Sequence, residues 1–313
     1  MKENKIFQKT IFVWITAGFC CFLWGSAFPG IKIGYNLFNI DSNDTATIIL
    51  FAGLRFFLAG VMTIFIFSIM NRKILFPGKK SIKKIGVLSL FQTILQYLFF
   101  YIGLAYTSGE RASVIQGTNV FVALIISCLV FKMEKFKLNK IIGSVIGFAG
   151  VLLVSLDIFN ASEKPSFIGE ILVFLSTVSY AFSSVFMKKY SKDDNPAMLS
   201  GWQFVLGGMV MIISGLAFGG KLCNFNIKSI ALLIYLAFVS AAAYSLWSIL
   251  LKYNPVSKVT VCGFLTPVFG FILSATFLGD LTSVGFFALL ALLCVVAGMI
   301  IVNYNFDKAR KSK

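Results

Sequence analysis

With 313 residues, 58% of them hydrophobic and only 13% charged, the chain lies far from the composition of a soluble domain. Its formal charge of +16 does not point to nucleic acid, because no soluble stretch longer than about a dozen residues exists on which basic side chains could gather. Histidine is absent, which removes the commonest metal ligand and general base.

A hydrocarbon core of ~30 Å needs about 20 helical residues to cross it. Apolar runs of that order predict crossings at 11–34, 46–70, 85–106, 112–131, 139–157, 166–187, 197–218, 229–251, 257–278 and 283–303. The first run follows Lys2, Lys5 and Lys9 as in a signal peptide, but it continues past Trp24 without an A-x-A-like site. It is expected to stay as an uncleaved first helix. Between the runs the basic residues alternate. The N-terminal tail, the loops 71–84, 132–140, 188–196 and 252–258, and the C-terminal tail hold 22 of the 28 Lys and Arg residues. The other connections hold Arg111, Lys164, Lys221 and Lys228. Such bias marks the cytoplasmic side, so both termini are expected in the cytoplasm of a multi-pass cell-membrane protein, with the basic collar facing anionic lipid. The preference for Lys, Ile and Asn suggests a bacterial membrane.

A shift of 148 residues aligns the chain with itself. Gly53, Phe56, Leu58 and Gly60 fall on Gly201, Phe204, Leu206 and Gly208. Thr118, Val120 and Phe121 fall on Thr266, Val268 and Phe269, and Ala149, Gly150 and Val154 on Ala297, Gly298 and Val302. The first helices need another offset, where Ser26 and Phe28 meet Ser184 and Phe186. The expected fold is all-α and integral to the membrane. It has ten transmembrane helices in two five-helix repeats, 11–157 and 166–303. An odd number of crossings inverts the second copy, an architecture of secondary transporters.

The order and spacing of short motifs carry a resemblance. They are Leu-Trp-Gly-Ser-Ala-Phe at 23–28, Gly-Leu-Arg-Phe-Phe-Leu-Ala at 53–59 and Gly-Phe-Ala-Gly-Val-Leu-Leu-Val at 147–154. The second half adds Gly-Glu-Ile-Leu at 169–172, Thr-Pro-Val-Phe-Gly at 266–270 and Phe-Leu-Gly-Asp at 277–280. Over nearly its whole length the chain resembles the drug/metabolite transporter superfamily, in particular its EamA-type ten-helix members. Two positions depart from that pattern: Asn119 stands where proline is frequent, and Asp280 where glutamate is usual. The resemblance implies movement of small metabolites, often amino acids or related compounds and frequently outward. Transporters of another solute class, such as drugs or sugar derivatives, are the alternative.

Polar groups inside apolar helices are costly and therefore informative. Arg55 falls near the middle of the second helix, where it can attract an anionic group of a cargo, bond helix carbonyls, or reach Glu170. Gln92 and Gln96, four apart, share a face of the third helix, as Gln116 and Asn119 do on the fourth. With Thr266 they offer amides and a hydroxyl to a polar solute, while Trp24, Tyr97, Tyr244 and Trp247 offer apolar walls. These ten residues are the candidate substrate site. Gly143, Gly147, Gly150 and Gly298 instead predict that the fifth and tenth helices pack against each other. The cysteines read as small apolar residues, and no metal or cofactor is expected.

An intramembrane enzyme would need clustered carboxylates or a nucleophile beside a base, whereas the acidic residues here sit in loops, tails or near helix ends. A sensor or scaffold would not require an inverted repeat. Glu170 and Asp157 lie nearest to helix centres, each within about a turn of a helix end. Without a central carboxylate to exchange protons, downhill facilitation or exchange is expected, with Glu170 the exception to test.

Overall fold

The computed structural model describes residues 3–104, 106–107, 109–153, 167–278 and 286–304. Asp157, Lys164, Asp280, the outer ends of the fifth and tenth predicted crossings, and the basic C-terminal tail lie outside them.

Among the described residues the chain is helical, without strands. After a single turn at Glu3–Ile6 come α1 (Thr10–Phe38), α2 (Thr45–Met70) and α3 (Lys79–Leu104). The fourth segment, α4, runs in three pieces, Gly109–Gly117, Asn119–Ile125 and Ile126–Val130. There follow α5 (Leu138–Leu153), α6 (Phe167–Tyr190), α7 (Pro196–Ala217) and α8 (Ile227–Tyr253). The ninth, α9, is again divided, into Val256–Thr260, Val261–Phe264 and Leu265–Leu278, and α10 covers Phe286–Asn303. Seven of these, α1–α3 and α6–α9, are long and apolar enough to cross a membrane, while α4, α5 and α10 hold shorter apolar stretches. Large side chains such as Ile15, Phe65, Ile213 and Leu293 are exposed on helix surfaces, as suits a bundle bathed in lipid.

Local chemistry sets the helix ends. The Asp44 carboxylate accepts from the Thr47 amide at 3.0 Å and from its hydroxyl at 2.6 Å, opening α2. Asn195 caps α7 ahead of Pro196, whose missing N–H is no loss in a first turn. Asn226 and Ser229 form a reciprocal capping box on α8. Asn39 closes α1 in the left-handed region at φ 52°.

The irregular stretches fall in the helices that carry the candidate site. A π-helical turn, Ser89–Leu95, opens α3 around Gln92, and another, Ile126–Val130, ends α4. Such turns are rare and frequently mark functional sites. Pro267 cannot donate to the Gly263 carbonyl, and Val261–Phe264 tightens into a 3₁₀ turn. The fourth segment breaks at Thr118 without any proline; the Thr118 hydroxyl donates to the Ile115 carbonyl at 2.6 Å.

Two close helix pairs flank the bundle. Where α2 meets α7, a side chain at Gly60 would place its Cβ 2.6 Å from the Gly201 carbonyl oxygen, and one at Gly208 would sit 2.9 Å from the Gly53 carbonyl. Where α5 meets α10, Gly143 lies against Gly298 and Gly150 against Ala291, each with its notional Cβ 2.6 Å from the facing carbonyl. Absent side chains let backbones approach this closely, which is how helices associate in a solvent that gives no hydrophobic drive. The expected α5–α10 contact is therefore present. Between the flanks, α1 packs on α8 and α9, and α6 packs on α3 and α4.

Candidate functional site

The centre of the bundle is aromatic. The Tyr97 hydroxyl of α3 and the Tyr244 hydroxyl of α8 lie 2.9 Å apart and share a hydrogen bond. Trp24 of α1 stands with its ring 5.0 Å from those of both Tyr244 and Trp247. Phe56 of α2 meets Tyr97 at 4.3 Å and stacks on Phe204 of α7 at 5.3 Å; Phe204 in turn meets Tyr244 edge-on at 5.0 Å. Tyr180 of α6 completes the ring at 6.4 Å from Tyr244. Six helices thus converge on one group of rings.

Arg55 stands beside it. Its side chain is 5% exposed, and its guanidinium carbon lies 4.5 Å above the centre of the Phe56 ring. Its charge acts on the hydroxyls of Tyr35, Tyr97, Tyr101 and Tyr244. Neither Nε nor Nη1 has a hydrogen-bond partner. The same holds for the buried Trp24 and Trp247 Nε1 donors and for the Gln92 and Gln96 Oε1 acceptors. Buried polar atoms are normally paired, so this many open ones around one aromatic group is unusual. Gln96 also interacts with Tyr244.

The structure thus brings together six of the ten candidates, Trp24, Arg55, Gln96, Tyr97, Tyr244 and Trp247, while Gln92 lies buried four residues before Gln96 on α3 without a hydrogen bond to the group among the described residues. The other three sit on adjoining surfaces. Gln116 and Asn119 are half-buried on α4, where neighbouring Gly117 and Phe121 pack against Phe148, and Thr266 interacts with the Cys21 thiol of α1. Among the described residues no ring contact or hydrogen bond joins these three to the Trp24–Tyr244 group, although Asn119 Oδ1 is another buried atom without a partner.

Sequence reasoning missed several members. Phe56 and Phe204 are equivalent positions under the 148-residue shift, but two phenylalanines among 35 give no signal of their own. A second polar group, with the Thr93 hydroxyl donating to Gln203 Oε1 at 2.7 Å and the Ser89 hydroxyl to the Gln203 carbonyl at 2.9 Å, ties the π turn of α3 to α7.

At the end of the bundle that carries the basic loops, polar contacts lace the segments together. The Glu134 carboxylate accepts from Lys140 at 2.7 Å, from the Ser257 amide at 3.2 Å and from the Ser257 hydroxyl. Lys84 pairs with Asp194 at 2.7 Å and with Asp193 at 3.1 Å, while Ser81 donates to Asp194 at 2.6 Å. Burial pushes the Asp194 carboxyl up, but the Lys84 and Ser81 hydrogen bonds outweigh it and hold the group below the ordinary carboxylate range. The Lys188 ammonium donates to the Asn254 carbonyl, and Asn254 Nδ2 to the Phe7 carbonyl at 2.8 Å.

Known proteins resemble this chain in shape and in sequence. A solved crystal structure superposes with a TM-score of 0.75 over 95% of this chain and 97% of its own, at 14% identity, which establishes a shared fold. An uncharacterized transporter of Archaeoglobus fulgidus is 30% identical over 282 residues, covering 88% of this chain and 81% of the relative. YdfC of Bacillus subtilis (strain 168), also an uncharacterized transporter, is 24% identical over 306 residues, covering 97% of this chain and 95% of the relative. Residues 11–156 and 167–304 each match the EamA-like transporter family. This multi-pass membrane protein belongs to the EamA-like transporter family.

Proposed function

We propose that the chain is a secondary transporter that moves small polar metabolites, amino acids or related compounds, out of the cell across the cell membrane. In this reading ten crossings form two inverted repeats, 11–157 and 166–303, with both termini cytoplasmic, and the repeats exchange conformations to open a central site to alternate sides. The observation that carries the proposal is the group of buried, open hydrogen-bonding atoms on Trp24, Arg55, Gln96 and Trp247 around the Tyr97–Tyr244 pair, with a further open acceptor on Gln92 of the same α3 helix. Buried polar atoms left open are expensive in an apolar interior, and a polar solute is what would fill them. Gln116, Asn119 and Thr266 belong to the path beside it.

The inverted arrangement draws support from reciprocal contacts. Under the 148-residue shift Gly53 corresponds to Gly201 and Gly60 to Gly208, while the contacts run Gly60 to Gly201 and Gly53 to Gly208. Likewise Gly150 corresponds to Gly298 and Gly143 to Ala291, while Gly143 meets Gly298 and Gly150 meets Ala291. Each surface thus meets the equivalent of itself, the pattern a two-fold relation generates.

Transport is downhill, because the buried carboxylate among the described residues, Glu134, sits at the basic-loop end held by Lys140 and Ser257, and none lies near a helix centre. The test is flux of a labelled amino-acid mixture into proteoliposomes with and without an imposed pH gradient. Wild type should equilibrate the cargo, and Gln92→Leu, Gln96→Leu and Asn119→Leu should slow it without loss of folded protein. Uphill accumulation driven by the gradient, and abolished in Glu170→Gln, would overturn the downhill mechanism. Wild-type rates in all three leucine variants would remove the site.

A further inference from the structure

We propose that Arg55 is the anion anchor of the site and that the cargo is a monocarboxylate with an apolar or aromatic body. This rests on reading the aromatic group as the cargo site.

A guanidinium does not deprotonate in a protein, so Arg55 carries its charge wherever the fold puts it. A structural role would use that charge: the donors would reach helix carbonyls or a carboxylate. Neither is seen for Nε and Nη1, both buried and without partners. Among the described residues the ion pairs join Lys84 to Asp193 and Asp194 and Lys140 to Glu134, and none includes Arg55. The Phe56 face 4.5 Å away offsets part of the desolvation, but it satisfies no N–H group. A buried cation with open donors is matched by an anion that brings its own acceptors, and carboxylate suits guanidinium best.

The charge count narrows the class. Among the described residues Arg55 is the one charged side chain buried inside a crossing; the Glu134 side chain, 6% exposed, is already neutralised by Lys140 among the basic loops, and Lys32, the other basic residue inside a predicted crossing, is exposed. A single buried positive charge balances a single negative one. A phosphate monoester, close to doubly charged at neutral pH, would leave charge uncompensated in an apolar interior. The surroundings select the rest of the molecule. The Tyr97 and Tyr244 hydroxyls, whose hydrogen bond can be redirected, supply further donors to a carboxylate, while the mutually packed rings of Phe56, Phe204, Trp24 and Trp247 make the surroundings apolar and so favour an apolar body.

The test uses the purified full-length protein in nanodiscs and two probes of matched shape, phenylacetate and its neutral isostere phenylacetamide. Binding is read from quenching of tryptophan emission, since Trp24 and Trp247 line the site. Wild type should bind phenylacetate about tenfold or more tightly than phenylacetamide, and phenyl phosphate less well than phenylacetate. Arg55→Gln should bring the carboxylate-to-amide ratio close to one, and Arg55→Lys should keep an intermediate preference. Equal binding of the two probes by wild type, no binding of either at millimolar concentration, or an unchanged ratio in Arg55→Gln would each overturn the proposal. The wild-type comparison needs no variant to fold. It also needs no transport: anion preference without amino-acid flux leaves the anchor standing and removes the amino-acid cargo. Flux without anion preference does the reverse.

Discussion

Replacing Gly60 with alanine tests how the two halves are held together. The new methyl carbon would lie 2.6 Å from the Gly201 carbonyl oxygen and 2.6 Å from the Val205 amide nitrogen, both backbone atoms that no rotamer change can move. Real carbons essentially never approach below 3.0 Å, so α2 and α7 must separate. A gap of about 0.5–1 Å already forfeits a quarter to a half of each van der Waals contact across the interface. Overpacking of this kind costs roughly 1–3 kcal/mol. The equivalent Gly208→Ala meets the Phe57 amide nitrogen at 2.5 Å and should cost at least as much. Gly201→Ala is the internal comparison, because its nearest neighbour is a side-chain atom, Ile64 Cγ1 at 2.7 Å, and the facing carbonyl is 3.3 Å away. The β-branched Ile64 is stiff in a helix, so the change should cost about 1 kcal/mol, less than a clash with backbone but not nothing. Unfolding of the three variants in nanodiscs, by heat or by titrated denaturing detergent, should rank Gly208→Ala and Gly60→Ala well below Gly201→Ala. A Gly60→Ala protein as stable as wild type, or Gly201→Ala as damaging as Gly60→Ala, would refute the close-approach argument.

Tyr97→Phe removes one of the two partners of the Tyr244 hydroxyl, Gln96 being the other, so a double-mutant cycle with Tyr244→Phe should show coupling of roughly 0.6 kcal/mol, with ~1.7 as the upper end; strict additivity in unfolding would dissolve the pair. Cys223 is the one exposed cysteine of the six. A membrane-impermeant maleimide should therefore label intact wild-type cells, Cys223→Ser should not react, and adding Lys192→Cys to that variant should leave it unlabelled from outside. Outside labelling at position 192 would overturn the orientation. Because the Asp194 carboxyl is held low in the folded protein, its stabilisation is present above the unfolded value near 3.8 and is lost as pH falls through the folded value. Unfolding followed from pH 6 to about pH 3 should show an acid-side loss of stability that Asp194→Asn lacks, of about 1 kcal/mol or less as for most exposed ion pairs; identical profiles would count against the Lys84–Asp194 link.

Helix positions were legible because a crossing is a long, continuous signal. The second crossing is expected at 46–70 and found at Thr45–Met70, and the ninth at 257–278 against Val256–Leu278. The third was expected to begin at 85, yet its helix starts at Lys79, because the lysines of its first turns, which lie beside the basic loop, conceal the start from a hydropathy reading. The π turn at Ser89–Leu95 left no trace, since its apolar and polar residues serve an α-helix equally well. In the site, Trp24, Tyr97, Tyr244 and Trp247 stood out as amphipathic aromatics in apolar helices. Phe56 and Phe204 did not, because burial of phenylalanine needs no explanation, and only the fold shows that they bridge the two halves. Glu134 was hidden for the opposite reason: a charged loop residue reads as solvated until its partners Lys140 and Ser257 are brought from elsewhere.

The partnership of α5 with α10 has a consequence for how the protein is made. The glycine face of α5 fits a helix that begins about 130 residues further along the chain. Asn139, at the start of α5, donates to the carbonyls of Ile301, Val302 and Tyr304 at the far end of that helix. At ~5–20 residues per second, a ribosome delivers α10 on the order of ten seconds after α5 has entered the bilayer. During that interval the first five helices hold an open, close-packing stripe that nothing synthesised so far can cover. A nascent chain stalled before residue 286 should therefore be a target for membrane chaperones and proteases, and supplying residues 167–313 as a separate polypeptide should protect it.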